Sequence, residues 1–403
     1  MKRLLKVSFD LTLLSLIPVL SWFTLGLLVD KTLINVFTLI YPIQFIWYIC
    51  KSIFSTGANI SKEKDKSNNS TMSGIVIGTI TSFIIFSFIV LNIDNYINFM
   101  NMSTELYKYF AIYAVIQLYI QLIFNFYIEK LYYEEKNTLA NKYSLGFNLL
   151  NFIILTITAL IFKNNYIPII IITLSVILIY TIIVIIKESN KFKLEFKLLN
   201  YIKYDSVELF NNIAFFFIFL FGLSNVLEFG ESYATALTFV ALITDTQWDV
   251  YTSITVVSKI DIAKNKFNYI EHRNNAYKLL MLLIISISIM FLILSKSYDL
   301  NISIVLIFLS FEIVNFLIYP IYRIKTCYLQ LEYSAIKTTI NKIAASTSRL
   351  AFSFWKNPYC TGIGQVFSSL YQFISINYIF NKNYKIDSSG NVSKRALKWL
   401  IFS

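Results

Sequence analysis

Two aspartates lie near the middle of an apolar stretch, Tyr233–Ser258, that is long enough to cross a lipid bilayer. Asp245 and Asp249 are four residues apart, so a helix would place both carboxylates on one face. A carboxylate at bilayer depth costs roughly 2.5–3.5 kcal/mol on insertion scales and usually faces a wet cavity or a partner helix. Two interpretations stay open: a pair satisfied by neighbouring helices, and the wall of a cavity that handles a proton or a cation.

Further polar side chains interrupt other apolar stretches at helical spacing. Glu312 and Asn315 are three residues apart, near the middle of the stretch Ile302–Ile324. Amide side chains often join membrane helices through hydrogen bonds, which explains most of the amides without a transported ligand. A carboxylate at mid-depth is explained less well in this way, so Glu312 is a candidate for cation handling. The candidates for lining a substrate cavity are Asp245, Asp249, Asn315, Gln117, Gln121 and Asn211.

Arg349 is a cation well inside a short stretch that is rich in serine and threonine, Ile340–Trp355. Either it pairs with an acid, or its helix begins deeper in the chain than hydropathy indicates. The sequence leaves both alternatives open.

The elements that must hold these residues are transmembrane helices. Of the 403 residues, 57% are hydrophobic, 17% are aromatic and only 14% are charged, which is too apolar for a soluble domain. With roughly 20 apolar residues as the unit of counting, the sequence predicts an all-α polytopic membrane protein of about twelve spans in two six-helix bundles. The predicted spans are Ser8–Val29, Leu33–Thr56, Gly74–Leu91, Tyr107–Ile128, Tyr143–Phe162, Tyr166–Ile186, Val207–Leu227, Tyr233–Val257, Ala276–Leu294, Ile302–Ile324, Ile340–Trp355 and Thr361–Phe380.

Lysine and arginine are concentrated in every second loop, and the formal net charge is +12. The basic loops, and both chain ends with them, are therefore predicted to be cytoplasmic. A basic linker, 191–204, separates an N-terminal half, 1–190, from a C-terminal half, 205–381, and a basic tail follows at 382–403. The two halves would be parallel repeats about an axis along the membrane normal. Because the charge follows the loops, it indicates topology and not nucleic-acid binding.

Several classes of active site lack their residues. Gly362-Ile363-Gly364 is too short for a phosphate-binding loop and lies in an apolar segment. The three cysteines have neither metal-ligand nor disulfide spacing, and His272 is the single histidine. We therefore expect no enzyme activity, no metal site and no cofactor.

A set of landmarks spread over nearly the whole chain resembles the multidrug and toxic-compound extrusion (MATE) family, part of a wider superfamily of flippase-like exporters. They are Pro18 followed by Leu28-Val29-Asp30, Tyr41-Pro42-Ile43, Gly57 before a basic loop, and Glu312 followed eleven residues later by Arg323. Twelve spans in two halves, without a nucleotide site, are also typical of that family. The chain departs from it at Phe215, where one branch carries a glutamate, and at Tyr322-Arg323, where the family has Leu-Arg.

The resemblance implies that Asp30 and Glu312 stand where family members bind a coupling proton or sodium ion. It implies a secondary active exporter of organic, cationic compounds, driven by inward Na⁺ or H⁺ through alternating access. The expected partners are the lipid bilayer and a small organic substrate, and the expected setting is a monomer in a bacterial plasma membrane. The alternative is a flippase for a lipid-linked oligosaccharide, which needs cavity cations such as Arg349 to hold a pyrophosphate. An integral-membrane transferase fits less well, because His272 lies in a short ordinary loop.

Overall fold

The computed structural model describes residues 16–395, except 103–104, 135, 164, 190, 205, 264–265, 296 and 299. Within the helices, the side chains at 63–64, 137, 204, 206–208, 211, 245–253, 256, 259–260, 263 and 335 are not described. The predicted site residues Asp245, Asp249 and Asn211 therefore have a helical backbone, while their side chains lie outside the described part.

Helices make up almost the whole of the described chain, because in a bilayer only an internally hydrogen-bonded backbone is free of a large desolvation cost. In chain order they are α1 (Leu16–Leu28), α2 (Ile34–Lys51), α3 (Ala58–Lys64), α4 (Ser70–Leu91), α5 (Ile93–Phe99), α6 (Glu105–Tyr133), α7 (Asn137–Ile161), α8 (Tyr166–Glu188), α9 (Leu198–Tyr204), α10 (Ser206–Glu228), α11 (Glu231–Ala263), α12 (Tyr269–Ser295), α13 (Ile302–Glu332), α14 (Ala335–Ser353) and α15 (Cys360–Asn383). A 3₁₀ turn, Lys31–Leu33, leads into α2, and a π-helical turn, Ser52–Gly57, joins α2 to α3.

Each predicted span overlaps one of these helices, and the chain is an all-α multi-pass membrane protein. Among the described residues, seven helices are long and apolar enough to cross a membrane: α2 with its continuation to Lys62, α4, α6, α7, α8, α12 and α13. Shorter apolar helices lie at Leu16–Leu28, Asn212–Glu228 and Glu231–Thr244. Helices α14 and α15 fall outside both groups, since their sequences are more polar.

The described residues pack into two compact units. The first unit consists of Leu16–Thr238 with Lys356–Pro358, and the second consists of Phe239–Trp355 with the described residues from Tyr359 onwards. By packing, α10 belongs to the first unit. The predicted division into 1–190, 191–204, 205–381 and 382–403 is a division into sequence repeats, and it stays a prediction.

Helix α6 lies at the centre of the first unit and packs against α2, α4, α7 and α8. Its fully buried side chains include Phe110, Tyr113, Phe124 and Phe126. On the other side of α2, helix α10 packs along it through aromatic rings. We call this contact the aromatic interface, and its rings are Tyr41, Phe45, Phe215 and Phe219.

In the second unit, α13 packs against α12, α14 and α15, and α14 and α15 form an antiparallel pair joined by a short turn. Side-chain oxygens cap two of these helices by accepting hydrogen bonds from backbone nitrogens of the first turn: Asn301 caps α13 and Ser334 caps α14. Just after α15, Tyr384–Ile386 (β1) pairs antiparallel with Val392–Lys394 (β2). The segment predicted as a basic tail thus begins with a β-hairpin.

Candidate ion site on helix α13

Glu312 lies in the middle of the apolar part of α13. It is ten residues after Ile302, the first residue of the helix, which corresponds to about 15 Å along the axis. Half the thickness of a bilayer's hydrocarbon core is also about 15 Å. Helix geometry therefore places this carboxylate within the hydrocarbon core, where an unsatisfied charge is costly.

The carboxylate of Glu312 is held by an amide from a neighbouring helix. Gln365, on α15, donates from Nε2 to both Oε1 and Oε2 of Glu312, each at 2.9 Å. Gln365 is buried and Glu312 is half-buried. A neutral donor stabilises the ionised carboxylate without cancelling its charge, so the site keeps its attraction for a cation.

The other end of the same amide receives a cation from a third helix. Arg349, on α14, donates from Nη2 to Oε1 of Gln365 at 3.0 Å. The amide therefore has its oxygen towards the guanidinium and its nitrogen towards the carboxylate, which is the orientation that both charges favour. We call Glu312, Gln365 and Arg349 the bridged triad. Of the two alternatives for Arg349, this arrangement is closer to pairing with an acid, although an amide stands between the two charges.

A second polar contact joins α13 to α15 one turn along from the triad. Ser369 Oγ donates to Oδ1 of Asn315, and both side chains are buried. Asn315 follows Glu312 by three residues and Ser369 follows Gln365 by four, so both contacts lie on the same pair of helix faces. Among the described residues, the Asn315 amide nitrogen has no hydrogen-bond partner. That buried donor is left unsatisfied beside the triad.

Two glycines bring the three helices close enough for these contacts. A Cβ on Gly362 would collide with the ring of Phe311 on α13, and a Cβ on Gly364 would come within 2.9 Å of Phe352 Cβ on α14. Small residues at such positions let membrane helices approach closely. Gly362-Ile363-Gly364 is thus a packing motif that contacts two neighbouring helices, α13 and α14.

The fold of this chain is similar to that of several solved structures. No protein-family model and no curated protein sequence matches it. The inward-facing conformation of a multidrug resistance MATE family transporter of the MOP superfamily aligns with a TM-score of 0.67 and 13% identity, covering 94% of this chain and 97% of that one. An outward-facing conformation aligns at 0.64 with 13% identity, covering 94% of both chains. A MOP superfamily transporter from Pyrococcus furiosus aligns at 0.61 with 13% identity, covering 94% and 95%.

The chain has the MATE transporter fold. This confirms the fold class that the apolar spans predicted and the resemblance that the landmarks indicated.

Asp30 lies at an exposed helix start in the first unit. Its Oδ1 accepts hydrogen bonds from the backbone nitrogen and the hydroxyl of Thr32, at 2.8 and 2.6 Å, and so caps the 3₁₀ turn before α2. Capping accounts for an aspartate at this position without an ion. A coupling role for Asp30 stays a prediction.

The predicted cavity residues Gln117 and Gln121 are half-buried on α6 in the first unit, whereas Asn315 is in the second. Within the second unit, Glu312 and Asn315 lie one turn apart on α13. Phe215, which by the resemblance stands where one branch of the family carries a glutamate, is part of the aromatic interface. Among the described residues, no group of three or more His, Cys, Asp or Glu side chains could hold a metal ion.

Gln365 and Ser369 are the site residues that the sequence did not single out. The signal was a stripe of small and polar residues on one face of α15, namely Thr361, Gly362, Gly364, Gln365, Ser368 and Ser369, all of them buried. Such a stripe in a helix that is otherwise rich in isoleucine and phenylalanine indicates an interface with polar contacts.

Proposed function

We propose that this protein is a secondary active exporter that moves organic, cationic compounds by alternating access, coupled to inward Na⁺ or H⁺. The fold supports this, because solved multidrug resistance MATE transporters with the same fold include inward-facing and outward-facing forms. The observation that carries the proposal is the bridged triad: a mid-span carboxylate whose hydrogen-bond partner is a neutral amide.

The triad offers a physical route to coupling. With Glu312 ionised, its charge and that of Arg349 balance across the Gln365 amide. A proton or Na⁺ on Glu312 would remove at least one of the two acceptors for Gln365 Nε2 and leave one net positive charge. In a low-dielectric interior that imbalance is costly. Ion binding would therefore loosen the contact between α13 and α15 and favour a second arrangement of these helices.

The position of the site suits an ion that arrives from outside. Gln365 is five residues, about 8 Å, after the first residue of α15, so the triad lies near the α14–α15 turn. If the basic loops are cytoplasmic, as the charge pattern predicts, this turn is extracellular. The same pattern gives both termini a cytoplasmic location, in what we propose is a bacterial plasma membrane. A fluorescent protein and alkaline phosphatase, each fused to the C-terminus, test that orientation.

The test is ethidium efflux from cells, with the proton and sodium gradients collapsed separately. We expect efflux to depend on one gradient and to fall to the vector-control rate in Glu312→Gln. Glu332→Gln is the matched control, because Glu332 is exposed at the end of the same helix, and it should retain efflux. Wild-type efflux in Glu312→Gln would remove the coupling role of that carboxylate.

A flippase for a lipid-linked oligosaccharide is the second candidate, and Arg349 is the observation that favours it. A guanidinium is well suited to bind a pyrophosphate. The Pyrococcus furiosus transporter, which has the same fold, is described as having a binding pocket of reverse polarity that suggests a different function. Absence of ethidium efflux from correctly inserted protein, with loss of lipid-linked sugar translocation in Arg349→Gln, would support the flippase.

A further inference from the structure

The segment that connects α8 to α9, Lys191–Lys197, together with Leu199, alternates lysine with large apolar residues. Between Lys187 and Lys203 the chain has five lysines and two glutamates. The large apolar side chains here are all exposed, with 77% of Phe196 and 82% of Leu199 accessible; the set is Phe192, Leu194, Phe196 and Leu199. We call these four residues, with Lys191 and Lys193, the linker surface.

Hydrogen bonds to residues at and just before the start of α4 hold the linker in place. The backbone nitrogen of Lys193 donates to Asn69 Oδ1 at 3.3 Å, and that of Glu195 donates to Ser73 Oγ at 2.9 Å. Asn69 Nδ2 also donates to Glu195 Oε1 at 2.9 Å, and Ser67 Oγ donates to Oε2 of the same carboxylate. Alternate amides that bond the same neighbour are typical of an extended chain, in which successive side chains point to opposite faces. Phe192, Leu194 and Phe196 therefore share a face that Glu195 does not.

The position of Ser73 sets the depth of the linker relative to the membrane. Ser73 lies in the first turn of α4, a span of 22 residues, which is about 33 Å and matches the hydrocarbon thickness. The first turn of α4 is thus at the membrane surface, and so is the linker that bonds to it. The preceding helix, α8, shows an apolar outer side as far as Ile186, which is 73% exposed.

In water, three large apolar side chains on an extended segment, with a fourth in the first turn of α9, would be an uncovered apolar patch. At the membrane surface the same side chains have a partner, since aromatic and aliphatic groups are stabilised at the boundary between headgroups and acyl chains. Lysines beside them attract anionic headgroups. The excess of three positive charges in this stretch selects an anionic leaflet over a neutral one.

We propose that the linker surface lies in the membrane interface and binds anionic phospholipids. Its apolar side chains rest among the upper acyl chains, and Lys191 and Lys193 contact the headgroup phosphates. The linker is then a lipid-binding element, beyond its role as a connection between two spans. This proposal requires a membrane-embedded chain and does not depend on any transported substrate.

The test uses the purified full-length protein in vesicles of phosphatidylcholine and phosphatidylglycerol, with one fluorophore attached to an introduced cysteine. The three native cysteines are buried, so the fluorophore should attach to the introduced cysteine. The fluorescence of the unlabelled variants is subtracted as background. Phe196→Cys and Leu194→Cys probe the apolar face, while Lys193→Cys is the matched neighbour on the other face. We expect quenching by phosphatidylcholine with a nitroxide at carbon 5 to be several-fold stronger at 194 and 196 than at 193. Quenching by aqueous iodide should show the reverse order.

Equal lipid quenching at the three positions, or stronger iodide quenching at 196, overturns the insertion of the apolar face. The headgroup part has its own readout, which compares nitroxide-labelled phosphatidylglycerol with nitroxide-labelled phosphatidylcholine at equal mole fraction. The ratio of their quenching at position 196 should exceed one and fall towards one in Lys191→Gln/Lys193→Gln. A ratio of one before the substitutions overturns the preference for anionic lipid.

Discussion

Two helix–helix contacts in this protein solve the same packing problem with opposite chemistry. In the first unit, α2 and α10 meet through the aromatic interface, where Phe45 and Phe219 stack with centroids 5.2 Å apart and planes 8° from parallel. In the second, α13 and α15 meet through Glu312–Gln365 and Asn315–Ser369. Ring stacking is indifferent to protons and ions, whereas a carboxylate–amide contact changes as soon as the carboxylate is neutralised. The comparison shows which contact can act as a switch and which can only hold.

The largest effect is expected from Gln365→Met, which keeps the length of the side chain and removes both of its hydrogen-bonding ends. Glu312 loses its hydrogen bonds to Gln365 and Arg349 loses one, and a hydrogen bond to a charged group contributes about 1.5–3 kcal/mol. Thermal unfolding in detergent checks this, with Gln372→Met, two turns further along α15, as the control. An unchanged midpoint for Gln365→Met would mean that the triad has no role in stability.

The double variant Glu312→Gln/Arg349→Gln sharpens the same point. Each single substitution leaves one charge without its counterpart, whereas the double variant leaves neutral amides throughout. We expect the double variant to be less destabilised than the sum of the singles, by about 0.5–3 kcal/mol. Strict additivity in a thermal double-mutant cycle would show that the two charges do not interact across Gln365.

A smaller effect is expected at the aromatic interface from Phe219→Leu. The ring also contacts Tyr41 with centroids 4.6 Å apart, and losing such aromatic pairs costs about 0.5–1.5 kcal/mol each. The decrease in unfolding midpoint should be the same in sodium and potassium buffers and at pH 6 and 8. By contrast, the destabilisation caused by Gln365→Met should change with the ion that couples transport. A salt-dependent or pH-dependent decrease for Phe219→Leu would contradict the proposed difference between the two contacts.

The smallest effect concerns the linker carboxylate. Hydrogen bonds from Ser67 and Asn69, and then the contact with Lys197, lower the pKa of Glu195 to about 2. A glutamate in an unfolded chain titrates near about 4.3. Because the folded pKa is the lower one, the stabilisation is fully present above about pH 4.3 and is lost as the pH falls towards 2. The protection factors against hydrogen exchange at the amides of 193 and 195, corrected for the intrinsic exchange rate at each pH, should fall over this range in the native protein, and Glu195→Gln should abolish that pH dependence.

Much of the fold follows from the apolar stretches, since each of the twelve predicted spans overlaps a helix. The site was predictable in part: Glu312, Asn315 and Arg349 stood out because polar groups at bilayer depth need a reason. Gln365 did not, because a glutamine in a helix is ordinary until its neighbour across the interface is known. Nor could the sequence show that α10 packs along α2, which depends on shape matching between rings that lie far apart in the chain.

Contacts of the β-hairpin after α15 determine whether the chain crosses the membrane an even or an odd number of times. Asn268 Nδ2 donates to Ser389 O at 2.7 Å, and Tyr269 N donates to Gly390 O at 2.9 Å. The start of α12 and the hairpin turn therefore lie on the same side of the membrane, and the chain must cross an even number of times between them. Helices α12 and α13 supply two crossings. It follows that α14 and α15, whose sequences are more polar than those of the other long helices, either both cross the membrane or both do not. If only one of them crossed, the hairpin would lie on the opposite side from the start of α12.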